Sequence, residues 1–526
     1  MPKVLVSDAI DQVGVDILSQ VAQVSYEPEL SPAQLLEKIP EYDGLMIRSG
    51  TKVTAEVIQA AGRLRIIGRA GVGVDNVDIQ AATRKGILVV NSPEGNTIAA
   101  AEHAIALMMA LSRHISEANV SLKAGKWKRS QFIGVEVYKK TIGIVGLGRI
   151  GSHVARVARA LGMQIVAYDP YISAERAQQL GARLVDLEQL FHEADYITLH
   201  VPRTPETTHL INERTLGLMK PSVRIINCAR GGLIDEQAIY SALKEGRIAG
   251  AALDVFENEP LGESDLRSLG REVILTPHLG ASTEEAQTNV AIDVAEQIRD
   301  VLLGLPARSA VNIPGLRPEV MQELKAYLEL AETLGNLVGQ LAGGRIDALD
   351  IRLQGLLAAK DAQPIVVAAL KGLLTPALRE RVNFVNALLE ARERGVRVTE
   401  TRDSSFADYA GSIHLLARGP EGERSVTGAL LGENEVRITS IDDFPISVAP
   451  SRFMLITLHR DMPGIIGKVG SFLGSHNVNI AGMQVGRKMV RGNAVMMVSL
   501  DDPLPEGLLG EIESVPGIRK AYTVNL

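Results

Sequence analysis

Residues 141–151 read TIGIVGLGRIG, a short strand-like run that enters three glycines, Gly146, Gly148 and Gly151, and leaves them into the helical pattern SHVARVARALG. The G-x-G-x-x-G spacing alone is a weak signal in a chain with 49 glycines. Its setting is specific. The next strand candidate, QIVAYD, ends in Asp169. In a strand–loop–helix unit the glycines permit a tight turn and let a pyrophosphate approach a positive helix N-terminus, while the acid accepts from a ribose hydroxyl. Arg149 and Ile150 lie inside that loop and join the expected cofactor contacts. A carboxylate also repels a 2′-phosphate, and no arginine follows Asp169 in DPYIS, so the expected cofactor is NAD rather than NADP.

Working outward, QIVAYDP, YITLHVP, RIINCARGG, IAGAALDV and VILTPHLG continue the alternation of strands and helices. With TIGIV they make six strand candidates, enough for a doubly wound sheet. Upstream, KVLVSD, LMIRSG, RIIGRAGVGVD and ILVVN alternate with helical patterns in the same way, which predicts a second, flavodoxin-like parallel unit. Between the two lies the apolar stretch Ile98–Leu111, too short for a bilayer and carrying Glu102 and His103, so a buried or interface helix is expected. The helix after Ser282 can pack back on the first unit. Residues 1–97 with 283–312 are therefore expected to form one discontinuous domain around an inserted dinucleotide domain, 98–282. IPGLRPEV, from Ile313, has the composition of a linker. Residues 313–448 carry helical patterns and then strand-like pieces, an α+β segment without a catalytic constellation. Residues 449–526 read β-α-β-β-α-β, a ferredoxin-like order for a small separate domain.

The chain has 526 residues, 46% of them hydrophobic, which is too long for one core and implies three or four domains. A net charge of −7, with both signs dispersed, argues against nucleic acid or an anionic membrane as a general partner. The single cysteine, Cys228, excludes internal disulfides and disfavours a metal site, as in a reducing cytoplasm, and no signal peptide is indicated.

Ligands of doubly wound sheets sit beyond the carboxyl ends of the strands. Those ends carry His200, Arg230, Asp254 with Glu259 behind it, and His278. Oxidising an alcohol by hydride transfer needs a base for the hydroxyl proton, and histidine suits that role near neutral pH. A carboxylate on the ring would fix its tautomer, and a guanidinium would hold a substrate carboxylate in two parallel hydrogen bonds. The glycines after Arg230 would leave room for that substrate. Alternatives stand beside each assignment. Arg230 could pair with Asp254, Glu259 could be a solvated loop acid, and His103 and His200 compete with His278. Cys228 reads as a small buried residue rather than a nucleophile.

The succession GLGRIG…YDP…NCARGGLIDE…AALDVFENEP…PHLGAST is similar to the D-isomer-specific 2-hydroxyacid dehydrogenase family over about residues 3–312. The resemblance implies Arg230, Glu259 and His278 as the catalytic set. It extends the expected cofactor contacts to Cys228, Ala229, Arg230, Asp254, His278, Leu279, Gly280 and Ala281. The domain order resembles the long form of that family which oxidises D-3-phosphoglycerate to 3-phosphohydroxypyruvate, the first step toward L-serine. Arg48 and Ser49 in MIRSGT match a substrate-loop motif. Lys128 and Arg129 in KAGKWKRS correspond to a segment that reaches the partner's active site in related dimers, against the plain reading of a solvated face. Trp127 would anchor that segment or lie in the core. The tail is similar to an ACT domain, which pairs with a second copy and binds amino acids. Asp461 and Asn479 match serine-holding positions, and His459 stands where a related form has tyrosine. L-serine is thus an expected effector, and a homodimer or homotetramer the expected assembly. Rival expectations are action on another 2-hydroxy or 2-oxo acid such as 2-oxoglutarate, an NAD-sensing binding protein, and a tail that only joins subunits.

Overall fold

The apolar β-branched runs near the N-terminus become parallel strands because helices cover both of their faces. In the computed structural model, which describes residues 1–313, 318–405, 409–432 and 434–526, the first sheet contains β1 (Lys3–Val6), β2 (Gln23–Tyr26), β3 (Gly44–Ile47), β4 (Ile66–Arg69) and β5 (Leu88–Asn91). Their order, β2-β1-β3-β4-β5, is the flavodoxin-like one. β2 escapes the sequence reading because QVSY is a half-exposed edge strand with no apolar run. The helix Glu284–Leu302 returns to this sheet, and Val290, Ala291, Val294 and Ile298 share a core with Val4, Val6, Met46 and Ile66. Half of the expected linker, residues 314–317, lies outside the described residues.

The second sheet contains β6 (Thr141–Val145), β7 (Gln164–Tyr168), β8 (Arg183–Leu184), β9 (Tyr196–Leu199), β10 (Arg224–Asn227), β11 (Gly250–Leu253) and β12 (Val273–Leu275). The order is β12-β11-β10-β9-β6-β7-β8, one strand more than expected; β8 has only two residues, too few for any periodicity. The chain runs outward from β6 through β7 and β8, then returns to β9 on the other side of β6. The strand order therefore reverses at the β6/β9 boundary, and a crevice opens there. The helix Thr97–Arg113 is core rather than surface: Ala101, Ala104, Leu107, Met108 and Leu111 pack with Ile142, Ile144, Ile226 and Ala252. Ile98 in its first turn is exposed, and further exposed apolar side chains lie just beyond it, at Ile115, Val120, Leu122, Ile133 and Trp127. Trp127 is 82% exposed, so it neither anchors its segment within this chain nor belongs to the core.

Beyond Pro318 the sheets become antiparallel for the most part. The helices Pro318–Ala342 and Gln363–Leu378 pack together over a six-stranded sheet. The second helix has no polar face to reveal a helical period, since residues Pro364–Leu370 are all buried. The tail follows the expected order: Phe453–Arg460, helix Ile465–Ser475, Ile480–Arg487, Asn493–Leu500, helix Leu508–Glu513 and Ile518–Asn525. One face of its four-stranded sheet meets its own helices. The other face, with Met454, Ile456, Val495, Met497 and Val524, shares a single core with Leu330, Leu334 and Leu337 of the helix Pro318–Ala342. The tail and the segment before it are thus joined through buried apolar surface, although the sequence suggests a small separate domain.

Candidate active site

The turn after β10 is folded by Asn227. Its Oδ1 accepts from the Ala229 amide at 3.0 Å, and its Nδ2 donates to the Arg230 carbonyl at 3.0 Å. Gly231 explains why the turn can pack so closely: a Cβ there would stand 1.7 Å from the Phe256 carbonyl oxygen. That glycine makes room for the backbone after β11 rather than for a ligand. The Arg230 side chain points across the crevice to the first unit, with Nε 3.3 Å from Asp75 and Nη1 donating to the Ala229 carbonyl at 2.7 Å. Its acidic neighbour is therefore Asp75 and not Asp254.

Asp254, at the end of β11, is fully buried. Its carboxylate accepts from Thr276 Oγ1 (2.6 Å), the Leu279 amide (2.7 Å) and the Gly280 amide (2.8 Å), and His103 Nε2 lies 3.2 Å away. Burial alone would raise its pKa, but the hydrogen bonds from His103, Thr276 and the Leu279 amide hold it below the usual carboxylate range. This carboxylate pins the loop after β12. Within that loop His278 takes a left-handed backbone, φ 54°, a conformation uncommon for a residue other than glycine. Its amide donates to the Asp254 carbonyl at 2.9 Å. The ring is half exposed, with Nδ1 2.6 Å from Glu259 Oε2, and Glu259 Oε1 accepts from the Phe256 amide at 3.1 Å. If Nδ1 carries its proton toward Glu259, Nε2 is left as an acceptor.

The competing histidines are turned to other work. His200 is half-buried against Thr198 Oγ1 at 2.9 Å, and the loss of water around its ring depresses its pKa to about 4. His103 is engaged with Asp254 and Thr276. Burial, then the Asp254 charge, push the Cys228 thiol far above its ordinary pKa, which leaves it unreactive. His103, Cys228 and Asp254 do stand within 4.8 Å of one another, yet the carboxylate's oxygens are already committed to the loop after β12.

The glycine loop after β6 fits a dinucleotide. A Cβ on Gly151 would lie 2.0 Å from the Gly146 carbonyl, so the helix Arg149–Ala160 starts hard against the turn. Above Gly148 there is open space, and no side chain caps the helix, so its first amides are available to an anion. Asp169 accepts from the Leu147 amide (2.8 Å) and the Tyr171 amide (2.9 Å), leaving lone pairs for a ribose hydroxyl. Arg149 lies 3.2 Å from Glu94 of the first unit.

One residue escapes the sequence reading. Arg69 ends β4 and is half-buried, and its Nε, itself buried, has no hydrogen-bond partner among the described residues. Burial, and then the neighbouring Arg230 and Arg48 charges, lower its pKa to about 10. The strand-end rule that singles out Arg230 applies equally to IIGRAG and would find it. Arg48 is fixed through its backbone: its amide donates to Asp8 at 2.6 Å, and its carbonyl accepts from Asn76 at 2.7 Å. Ser49 is exposed beside it. Lys128 and Arg129 are exposed, and no hydrogen bond or ion pair ties either side chain to the crevice among the described residues. In the tail, His459 is buried with Nε2 unpaired, Asp461 accepts from Arg487 (2.8 Å) and from the Arg491 amide (3.0 Å), and Asn479 donates to Asp501.

Comparison with known proteins agrees with this geometry. Residues 105–280 match the D-isomer specific 2-hydroxyacid dehydrogenase NAD binding domain, 323–442 the D-3-phosphoglycerate dehydrogenase intervening domain, and 453–517 the ACT domain. A D-3-phosphoglycerate dehydrogenase of Synechocystis is 69% identical over all of this chain and 95% of its own length. One from Methanocaldococcus jannaschii is 46% identical, with all of both chains covered. The solved D-lactate dehydrogenase of Aquifex aeolicus, complexed with NAD and lactic acid, has TM-score 0.52 and 27% identity over 57% of this chain and 96% of that one. A dinucleotide loop, a paired histidine at a strand end and full-length similarity at this level lead to one conclusion: the chain is an NAD-dependent dehydrogenase and belongs to the D-3-phosphoglycerate dehydrogenase family.

Proposed function

We propose that this chain oxidises D-3-phosphoglycerate at C2 to 3-phosphohydroxypyruvate. The observation that carries the reading is the His278–Glu259 pair, held on a loop that Asp254 locks to the end of β11. NAD, when bound at the glycine loop, supplies the hydride acceptor. Arg230 exchanges Asp75 for the substrate carboxylate and holds it in two parallel hydrogen bonds. His278 Nε2 takes the hydroxyl proton as the C2–H bonding pair leaves, so the C–O bond becomes a carbonyl and the ring becomes an imidazolium. Glu259 stabilises that charge and keeps Nδ1 as the donor. Arg48 and the half-buried Arg69 supply positive charge for the phosphate, which explains why a guanidinium would be kept in a site that depresses its pKa.

The exposed apolar side chains from Ile115 to Ile133 support assembly with a second copy as a homodimer or homotetramer. Lys128 and Arg129 lie in that same segment and would be carried toward the partner's crevice. L-serine is the proposed effector of the tail, held through Asp461 and Asn479 with His459 behind them. No helix among the described residues is long and apolar enough to cross a membrane, and the single cysteine suits a reducing cytoplasm.

The test is NADH formation from D-3-phosphoglycerate with a coupled step that removes the product, with and without serine, beside the reduction of 2-oxoglutarate. A kcat/KM favouring the phosphorylated acid is expected. Equal or better turnover of the unphosphorylated acid would overturn the substrate, and NADH binding without turnover of any 2-hydroxy acid would overturn the enzyme.

A further inference from the structure

A cavity of about 400 Å³ lies on the seam between the first unit and the segment that follows the catalytic half. One wall is the helix Ile79–Arg84; the other is formed by Val367 of the helix Gln363–Leu378 and by Phe384 and Leu388. The seam beside it is held by a hydrogen bond from Asn383 Nδ2 to the Gly86 carbonyl at 2.8 Å and by Phe384, which packs against the cores on both sides. The interior is mainly apolar, but two arginines, Arg84 and Arg392, line its exposed rim. Glu393 lies 3.6 Å from Arg84, too long for a strong hydrogen bond, and among the described residues no acid pairs with Arg392.

We propose that this cavity binds a small organic anion with an apolar body, its carboxylate or sulfonate on Arg392 and its apolar part between Ile79, Val367, Phe384 and Leu388. Its volume is in the usual range for small-molecule sites, and an apolar lining with one or two convergent charges is their common composition. A charge-assisted hydrogen bond from a guanidinium at the mouth gives such a ligand its orientation. The position is also informative. The helix Ile79–Arg84 is capped by Asp78 and continues directly from the loop in which Gly73 and Asp75 pack against Arg230; a Cβ on Gly73 would stand 2.4 Å from Arg230 Nη2. The cavity wall and the loop facing the substrate crevice are one uninterrupted piece of backbone.

Binding can be read without turnover, so the result stands apart from the assignment of the crevice. The full-length protein is titrated with the fluorescent monoanion anilinonaphthalene sulfonate, with saturating NAD present to keep the probe out of the dinucleotide site. One saturable site per chain is expected. Arg392→Glu, on the exposed rim, should weaken it by about 10-fold or more, while Arg392→Lys should stay within about 3-fold of wild type because the charge is kept. Val367→Trp, which fills the interior, should also weaken binding. The absence of a saturable site in the wild type, or unchanged affinity in Arg392→Glu or in Val367→Trp, overturns the proposal.

Discussion

The crevice above the seven-stranded sheet and the strand ends of the tail use nearly the same residue types and arrange them in opposite ways. The crevice has His278 with Glu259 and Arg230 with Asp75. The tail has His459, and Asp461 with Arg487. In the crevice the imidazole is half exposed and oriented by an acid. In the tail the imidazole is buried, and its Nε2 has no partner. Sheet geometry accounts for the difference. Parallel strands all end at one edge, so the loops after β10, β11 and β12 meet, and a Cβ on Gly280 would come within 3.3 Å of Asp254 and 3.8 Å of the Cys228 carbonyl. Antiparallel neighbours end at opposite edges, which spreads their terminal residues apart and suits a flat surface better than a chemical centre.

The largest effect that would break this comparison is at His278. His278→Gln keeps the size of the side chain but removes the proton acceptor, and kcat for NADH formation should fall by about 10²-fold or more. Turnover near wild type would show that the paired imidazole is not the base. Next, Arg230→Lys retains the charge but loses the planar fork, so KM for D-3-phosphoglycerate should rise by about 10-fold while the NADH dissociation constant stays unchanged.

His459 tests the tail side of the contrast. Burial depresses its pKa, so the unfolded chain takes up a proton before the folded one does. Its contribution to stability is fully present above the unfolded value of 6.5 and is lost as pH falls toward the depressed folded value. His459→Phe should therefore flatten the decline in melting temperature between about pH 6.5 and 5, since every tenfold difference in proton affinity between the folded and unfolded chain is worth about 1.4 kcal/mol. An unaltered slope would mean that this ring is not kept neutral by burial. The smallest effect is expected at Asp75, which is 80% exposed. Asp75→Asn frees Arg230, and KM for the substrate should drop by about 2- to 3-fold in low salt, with the gain vanishing at high ionic strength.

Local requirements are the legible part. The glycine loop can be read from three glycines and one downstream acid because the turn, the helix start and the ribose contact all lie within one strand–helix–strand unit. The strand-end residues are legible too, although Arg69 at the end of β4 draws no notice beside the motif-bearing Arg230. Hidden elements are those without periodic contrast: β2 at a half-exposed edge, β8 with two residues, and a helix apolar on every side. The glycine after Arg230 reads locally as space for a ligand, whereas it admits the Phe256 carbonyl, a partner 25 positions away that no local pattern announces.

The sequence by itself determined a parallel α/β enzyme with a dinucleotide loop, an arginine and several candidate histidines at strand ends, because steric demands on a turn and the period of a strand are settled within a few residues. Only the tertiary structure decided which histidine is both half exposed and paired with Glu259. A 2.6 Å contact between positions 259 and 278, and an arginine paired with Asp75 rather than Asp254, depend on how three strand ends are brought into register, and that follows from the packing of whole sheets and helices.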